Sequence, residues 1–144
     1  MDSTIVHFEI PADNTERAAK FYRDLFGWKI EKWDNPSFEY WMVQTVETDE
    51  QGMPVRRGVN GGLMPRMYPS QQPVNYIAVD NVDKAVAKAE KLGAKVMMAK
   101  TPVPGMGWFA QLTDPEGNVF AVWQTDPAAA PEAAASAQAD GTSR

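Results

Sequence analysis

The sequence predicts an α+β fold made of two βαβββ modules, and three observations lead to this prediction. Two amphipathic helices lie in different halves of the chain, and an alternating strand precedes each of them. Three further strand candidates follow each helix. When the first half is shifted by 67 residues, Ala18 falls on Ala85 and Leu25 falls on Leu92. A repeat of this size indicates two modules related by a pseudo-twofold axis.

The first helix is predicted to follow the segment ADNTE. Asp13 is the expected N-cap, and Glu16 lies three residues later, as in a capping box. Gly27 is expected to end the helix. Between them, apolar residues recur every three or four positions, which is typical of a helix with one buried face: Ala18, Phe21, Tyr22, Leu25 and Phe26.

The second helix is predicted to begin near Asp80 and to end at Gly93. Its apolar residues have the same helical spacing: Val82, Ala85, Val86, Ala89 and Leu92. The strand candidates of the first half read TIVHFEI, WKIEKW, FEYWMVQT and GVNGGLMP. Those of the second half read VNYIAV, AKVMMAK, GWFAQLTD and NVFAVWQT.

A single domain is expected over residues 1–125, with its modules at 1–66 and 73–125. The segment RMYPSQQP links the modules, and QTVETDEQGMPVRRG is read as a polar hairpin loop. Residues 126–144 are rich in alanine and proline and contain no aromatic or branched aliphatic side chain. Because ordering such a segment would bury little apolar surface, we expect a flexible tail.

Composition excludes several classes of function. The net charge of −5 and the lack of a basic run argue against nucleic-acid and anionic-membrane partners. No apolar run approaches 18 residues and no secretory leader is visible, so a cytoplasmic location is expected. The chain contains no cysteine, which rules out disulfides, thiolate nucleophiles and cysteine-based zinc sites.

Three segments resemble the vicinal oxygen chelate superfamily, and in particular its bacterial glyoxalase-related branch. They are HFEIPADNTERAAKFYRDLFGW, VDNVDKAVAKAEKLGAKV and PGMGWFAQLTDPEGNVFAVWQ. The superfamily includes glyoxalases, bleomycin-binding proteins and extradiol dioxygenases. The resemblance covers nearly the whole body of the chain. It implies the glyoxalase/bleomycin resistance fold, in which two βαβββ modules form a curved mixed sheet around a central cavity.

The resemblance also implies four inward-facing positions that hold a divalent metal in the family's enzymes. His7, the only histidine of the chain, matches the first of them. The other three fall on Val74, on Ala121 and on Gly62 or Gly61. One donor does not hold a catalytic divalent ion, so no metal and no other cofactor is expected. The alternative is an atypical metal site that adds Glu9 and oxygen donors from Asn60 or Gln44.

Strand alternation gives an expected lining of the cavity. His7 and Glu9 share one face of the first strand. The predicted ligand-binding residues are Trp41, Gln44, Asn60, Gly62, Val74, Tyr76, Phe109, Gln111, Ala121 and Trp123. Alternation assigns no face to Trp41 and Gln44, and a core role for Trp41, Tyr76 and Trp123 is the alternative. Aromatic walls with few polar groups suit a flat, partly apolar ligand.

Two functions follow as hypotheses. The first is a metal-free protein that binds a small, partly aromatic molecule. The second is a glyoxalase-like lyase or isomerase that acts on a dicarbonyl adduct, with His7 and Glu9 as its proton-transfer groups. A dioxygenase is disfavoured because one histidine does not supply the usual iron ligands. A structural role for His7 stays open, and a homodimer is expected because concave sheets leave edges to be covered.

Overall fold

A computed structural model describes residues 3–35 and 38–131 of the 144-residue chain. It confirms the α+β class and the two βαβββ modules. The predicted tail from residue 132 onward lies outside the described residues. Neither of the two helices in the described part is long and apolar enough to cross a membrane.

The first module contains five elements: β1 (Ile5–Ala12), α1 (Thr15–Phe26), β2 (Lys29–Lys32), β3 (Trp41–Gln44) and β4 (Gly61–Pro65). Its strands lie in the order β2-β3-β4-β1. The pair β1/β4 is parallel, and the pairs β2/β3 and β3/β4 are antiparallel.

The second module repeats this arrangement with β5 (Val74–Ala78), α2 (Val82–Lys91), β6 (Lys95–Val103), β7 (Gly107–Thr113) and β8 (Val119–Thr125). Its strand order is β5-β8-β7-β6, with β5/β8 parallel and the other two pairs antiparallel. The first strand of each module therefore lies beside the last strand of the same module, as the internal repeat predicts.

The start of α1 differs by one residue from the prediction. Asn14 is the N-cap, and its Oδ1 accepts a hydrogen bond from the Arg17 N–H at 2.9 Å. Asp13 instead pairs with Arg66 at 3.0 Å. Both residue types cap helices well, so the choice between two neighbours depends on where the backbone turns. Gly27 ends the helix in the left-handed conformation (φ 73°), as predicted.

Each module has its own hydrophobic core between its helix and its sheet. In the first module Trp41 and Leu63 pack with Ala19 of α1. In the second module Ala110, Leu112 and Val122 pack with Val82 of α2, together forming one buried cluster.

The described part of the predicted tail begins as a turn against β7. Asp126 accepts a hydrogen bond from the indole N–H of Trp108 at 3.0 Å, and its own N–H donates to the Met106 carbonyl at 2.8 Å. The Gly105 N–H donates to the carbonyl of Ala129, a buried residue. Residues 126–129 are thus tied to the second module.

Candidate functional site

Three polar side chains of the first module form a continuous hydrogen-bonded chain. Nε2 of His7 lies 2.8 Å from the phenol oxygen of Tyr40, and that phenol donates to Oε2 of Glu9 at 2.9 Å. His7 and Glu9 share a face of β1, and Tyr40 directly precedes β3. The rings of His7 and Tyr40 lie nearly parallel, at an interplanar angle of 11°. We call these three residues the His7–Tyr40–Glu9 triad.

Tyr40 was not among the residues predicted for the site. It lies in an irregular segment just before a short strand, where alternation gives no information about side-chain direction. The pair His7 and Glu9 was predicted to share a face, but the group that connects them was missed. The lack of a side chain at Gly62 is the one feature of the predicted site that indicates a group filling this space.

Gly62 provides the space that Tyr40 occupies. In the β1/β4 register Gly62 lies opposite Glu9, so both residues face the same side of the sheet. A Cβ atom on Gly62 would stand 1.9 Å from the phenol oxygen of Tyr40. Only glycine therefore admits the phenol in this position, and the triad depends on Gly62 as much as on its three members.

The strand registers also decide between Gly61 and Gly62 as the fourth family position. Ala121 lies opposite Tyr76 in the β5/β8 pair, as Gly62 lies opposite Glu9 in the β1/β4 pair. A Cβ atom on Gly61 would instead stand 2.4 Å from the carbonyl oxygen of Phe8. Gly62 is therefore the position equivalent to Ala121.

The protons of the triad can be placed from its hydrogen bonds. Tyr40 has one O–H proton, and it donates that proton to Glu9. The phenol oxygen therefore accepts from His7, whose proton lies on Nε2. Burial lowers the pKa of His7 from 6.5 to about 4, so the imidazole is neutral near pH 7.

A second polar–aromatic cluster lies on the sheet of the second module. The phenol oxygen of Tyr76, a buried residue, accepts a hydrogen bond from Nε2 of Gln111 at 3.1 Å. The ring of Phe109 meets that of Tyr76 edge to face, at a centroid distance of 6.0 Å. In the β7/β8 register Phe109 lies opposite Trp123, and Gln111 lies opposite Ala121. These five residues therefore share one face of their sheet.

Four predicted residues remain, and their environments differ. Trp41 packs in the core beside Leu63, which is the role stated as the alternative to a place in the cavity wall. Asn60 holds the backbone of Val46 from both sides, because its Oδ1 accepts from the N–H and its Nδ2 donates to the carbonyl. These two bonds fix the backbone at Val46. Gln44 is half-buried at the end of β3, and Val74 is buried at the start of β5.

The residues present do not fit the metal site of the family's enzymes. Four positions would have to supply donors, and they hold one imidazole, one glycine and the aliphatic side chains of Val74 and Ala121. In the described ranges 3–35 and 38–131, no three His, Cys, Asp or Glu side chains are grouped so that they could hold an ion. His7 is in addition bonded through Nε2 to Tyr40.

Two open depressions of the first module have none of the triad residues in their lining. The larger, of about 630 Å³, is lined by Asp13, Arg66, Met67, Tyr68 and Pro69. The second, of about 410 Å³, lies between the end of β1 and α1, with Ala18, Phe21 and Tyr22 among its residues. Neither includes a residue predicted for the site.

A family model described as the Glyoxalase/Bleomycin resistance protein/Dioxygenase superfamily matches residues 4–122. The chain belongs to this superfamily. The resemblance stated from the sequence is thereby confirmed.

Two related proteins are similar in sequence over most of this chain. A glyoxylase-like domain-containing protein of Didymella fabae is 31% identical over 117 residues, covering 79% of this chain and 88% of that protein. CFP32 of Mycobacterium bovis, which is named as a candidate glyoxylase, is 29% identical over 126 residues, covering 86% of this chain. The chain spans only 45% of the length of CFP32.

Solved structures of the same fold include methylmalonyl-CoA epimerases. The Streptomyces coelicolor enzyme in complex with 2-nitronate-propionyl-CoA superposes with a TM-score of 0.62 at 15% identity, covering 90% of this chain and 99% of that one. The Mycobacterium tuberculosis epimerase gives a TM-score of 0.60 at 13% identity, covering 92% and 91%. At these identities the similarity establishes the fold alone.

Proposed function

We propose that this protein binds a small, partly aromatic molecule in a metal-free cavity of the glyoxalase/bleomycin resistance fold. The observation that carries the proposal is the position of Tyr40, whose phenol lies over Gly62 and is bonded to His7. His7 is the one metal-donor residue retained from the family's site, and its imidazole is hydrogen-bonded to a phenol that is bonded in turn to a carboxyl group. We assign the polar contacts of the ligand to the His7–Tyr40–Glu9 triad.

Aromatic side chains support the partly aromatic character of the ligand. Phe109 and Trp123 are half-buried on the sheet face that also carries Tyr76 and Gln111. The aromatic rings offer area on which a flat ligand can stack, and the Gln111 amide offers a polar group that can fix the orientation of that ligand. We include Tyr76, Phe109, Gln111 and Trp123 in the proposed ligand-binding set, with Val74 and Ala121 as small apolar positions.

A glyoxalase-like lyase or isomerase is the second candidate, and a specific contact favours it. The hydrogen bonds from His7 through Tyr40 to Glu9 form a path along which a proton can shift. The related proteins named as glyoxylases agree with such chemistry without establishing it for this chain. In this reading His7 and Glu9 are the proton-transfer groups, acting on a dicarbonyl adduct.

Metal analysis and a single variant test these two candidates. Protein purified without chelator, with and without added nickel, zinc or manganese, should contain no stoichiometric metal. Native mass spectrometry of the same preparation should reveal a retained small molecule. Turnover of a thiol adduct of methylglyoxal that is lost in His7→Ala, while ligand binding persists, would favour the enzyme. Stoichiometric metal would contradict the metal-free cavity.

We further propose a homodimer as the assembly and the cytoplasm as the location. Apolar side chains on the outer face of α1 support an assembly, because Phe21, Leu25 and Phe26 are each 57% exposed. Exposed apolar residues that are adjacent on one helix are typical of contact surfaces.

A further inference from the structure

A groove of about 410 Å³ lies between the end of β1 and α1. Its walls come from residues 10–14, from one side of α1 and from Arg66, and we call it the α1 groove. We propose that the α1 groove is a second binding site, which takes small carboxylates that carry an aromatic ring. This inference goes beyond the proposed function, because the lining of the groove contains no member of the triad and no residue of the proposed ligand-binding set.

The walls of the α1 groove are mostly apolar. Pro11 and Ala12, at the end of β1, are buried, and Ala18 is half-buried on α1. The ring centroids of Phe21 and Tyr22 lie 5.2 Å apart at an interplanar angle of 81°, so two aromatic side chains meet nearly at a right angle. A volume of about 410 Å³ is typical of pockets that hold small organic molecules. These walls suit a ligand that carries an aromatic ring.

Three charged side chains line the α1 groove, and two of them pair with each other. Nε of Arg66 lies 3.0 Å from Oδ1 of Asp13, and the same guanidinium donates to the carbonyls of Gln71 and Pro11. In the part of the chain that the structure describes, the guanidinium of Arg17 has no ion-pair or hydrogen-bond partner. A guanidinium stays positively charged at physiological pH and binds a carboxylate through two parallel N–H donors. The complementary group on a ligand is therefore a carboxylate at Arg17.

The positions of the cation and the rings set the spacing between the two groups of the ligand. Arg17 and Phe21 are four residues apart on α1, so they lie on the same face of the helix, about 6 Å apart along its axis. A carboxylate at Arg17 and a ring against Phe21 and Tyr22 therefore fit a molecule with a short aliphatic spacer, such as an arylalkanoate. Because Phe21 also belongs to the apolar face proposed as the dimer contact, the variants that test the site leave Phe21 unchanged.

Three matched probes test the proposal on the full chain: 3-phenylpropionate, 3-phenylpropan-1-ol and propionate. The alcohol lacks the charge, and propionate lacks the ring. Binding to the α1 groove is followed by the amide NMR signals of Ala18 and Tyr22, and binding to the triad is followed separately by the ring signals of His7. We expect 3-phenylpropionate to shift the Ala18 and Tyr22 signals and the alcohol to bind about fivefold more weakly. Propionate at millimolar concentration should leave these signals unchanged, because it buries little apolar surface.

Two arginine variants complete the design. Arg17→Gln removes the cation and keeps the main-chain N–H that Asn14 caps, so the start of α1 is preserved. It should weaken the binding of 3-phenylpropionate about fivefold and leave the binding of 3-phenylpropan-1-ol unchanged. Arg56→Gln, the matched control, removes the same charge from an exposed position outside the lining of the groove and should leave both affinities unchanged.

Three results would overturn the inference. The first is equal affinity of the wild-type protein for 3-phenylpropionate and for the alcohol, and the second is an Arg17→Gln variant that binds the carboxylate as tightly as the wild type. The third is a titration in which 3-phenylpropionate at millimolar concentration leaves the Ala18 and Tyr22 signals in place, whether or not it moves those of His7. Each of these results leaves the proposed function standing, because binding at the triad is measured by the His7 signals and not by those of α1.

Discussion

His7 is a histidine whose surroundings keep it neutral, and this makes the stability of the protein depend on pH. The pKa of His7 is lowered to about 4 in the folded protein, against an ordinary value of 6.5. Between these values the unfolded chain binds a proton that the folded chain does not bind. Stability therefore falls as the pH drops below 6.5 and stops falling, as far as His7 is concerned, below about 4.

The expected size of this effect can be measured by urea unfolding. One pKa unit corresponds to about 1.4 kcal/mol, and partial exposure of His7 reduces the effect, so we expect about 1–2 kcal/mol less stability at pH 5 than at pH 7. The variant His7→Gln lacks the titrating ring and should lose most of this difference. An equal loss between pH 7 and pH 5 in both proteins would show that His7 titrates normally.

Gly62 and Tyr40 should be coupled energetically. In Gly62→Ala the new methyl group meets the phenol, which must leave its partners His7 and Glu9, and we expect a loss of about 1–3 kcal/mol. In a Tyr40→Ala background the space is empty, so the same substitution should cost much less. A double-mutant cycle measures this coupling free energy, and additive effects of the two substitutions would contradict the contact.

The alternation of side chains along a β-strand predicts side-chain direction for some residues of the candidate site and not for others. The shared face of His7 and Glu9, and that of Phe109 and Gln111, follows from a period of two residues within one strand. Trp41 could not be assigned in this way, because apolar and aromatic residues stand on both faces of β3. Tyr40 lies before the strand, so only its contact with Gly62 reveals its role.

The helices were the elements whose ends the sequence predicted best. The predicted buried stripe of α1 was wrong at Phe21, Leu25 and Phe26, which are each 57% exposed. Gly27 and Gly93 both have positive φ angles next to the helix ends, as expected for residues without a Cβ. The N-cap of α1 was placed one residue too early, since both Asp13 and Asn14 are capping residues. Only the hydrogen bond from Arg17 to Asn14 identifies the cap.

The cap assignment leads to a prediction for α1. Replacing Asn14 with alanine removes the acceptor of the Arg17 N–H and should cost about 1 kcal/mol of stability. Asp13→Ala, the matched control, removes only an exposed ion pair with Arg66 and should cost less than about 0.5 kcal/mol. Thermal or chemical unfolding of both variants gives the comparison. A larger loss for Asp13→Ala would mean that the cap is misassigned.

For the molecule as a whole, the internal repeat predicted the topology but not the assembly. Equal strand orders in the two modules follow from the repeat, because each half has the same sequence of elements. The identity of the ligand and the oligomeric state depend on side chains that differ between the two modules. Phe21 on α1 is one of these side chains.

The proposed homodimer can be tested through the exposed face of α1. Sedimentation equilibrium should give twice the 16.0 kDa mass of one chain. Charged residues in place of apolar ones disrupt a buried contact, so the double variant Phe21→Glu/Leu25→Glu should sediment as a monomer. Leu92→Glu, at an exposed position after α2, should not change the mass. A monomeric wild-type protein would contradict the proposal.

The proposed metal-free site depends most on a triad that uses His7 for hydrogen bonding and not for metal coordination. The most direct measurement is an NMR titration of the ring nitrogens of His7 with zinc, nickel and manganese at pH 7. We predict that one equivalent of each ion leaves these signals unchanged and that Nε2 carries the proton. Stoichiometric binding of any of these ions that displaces the Nε2 proton would contradict the account.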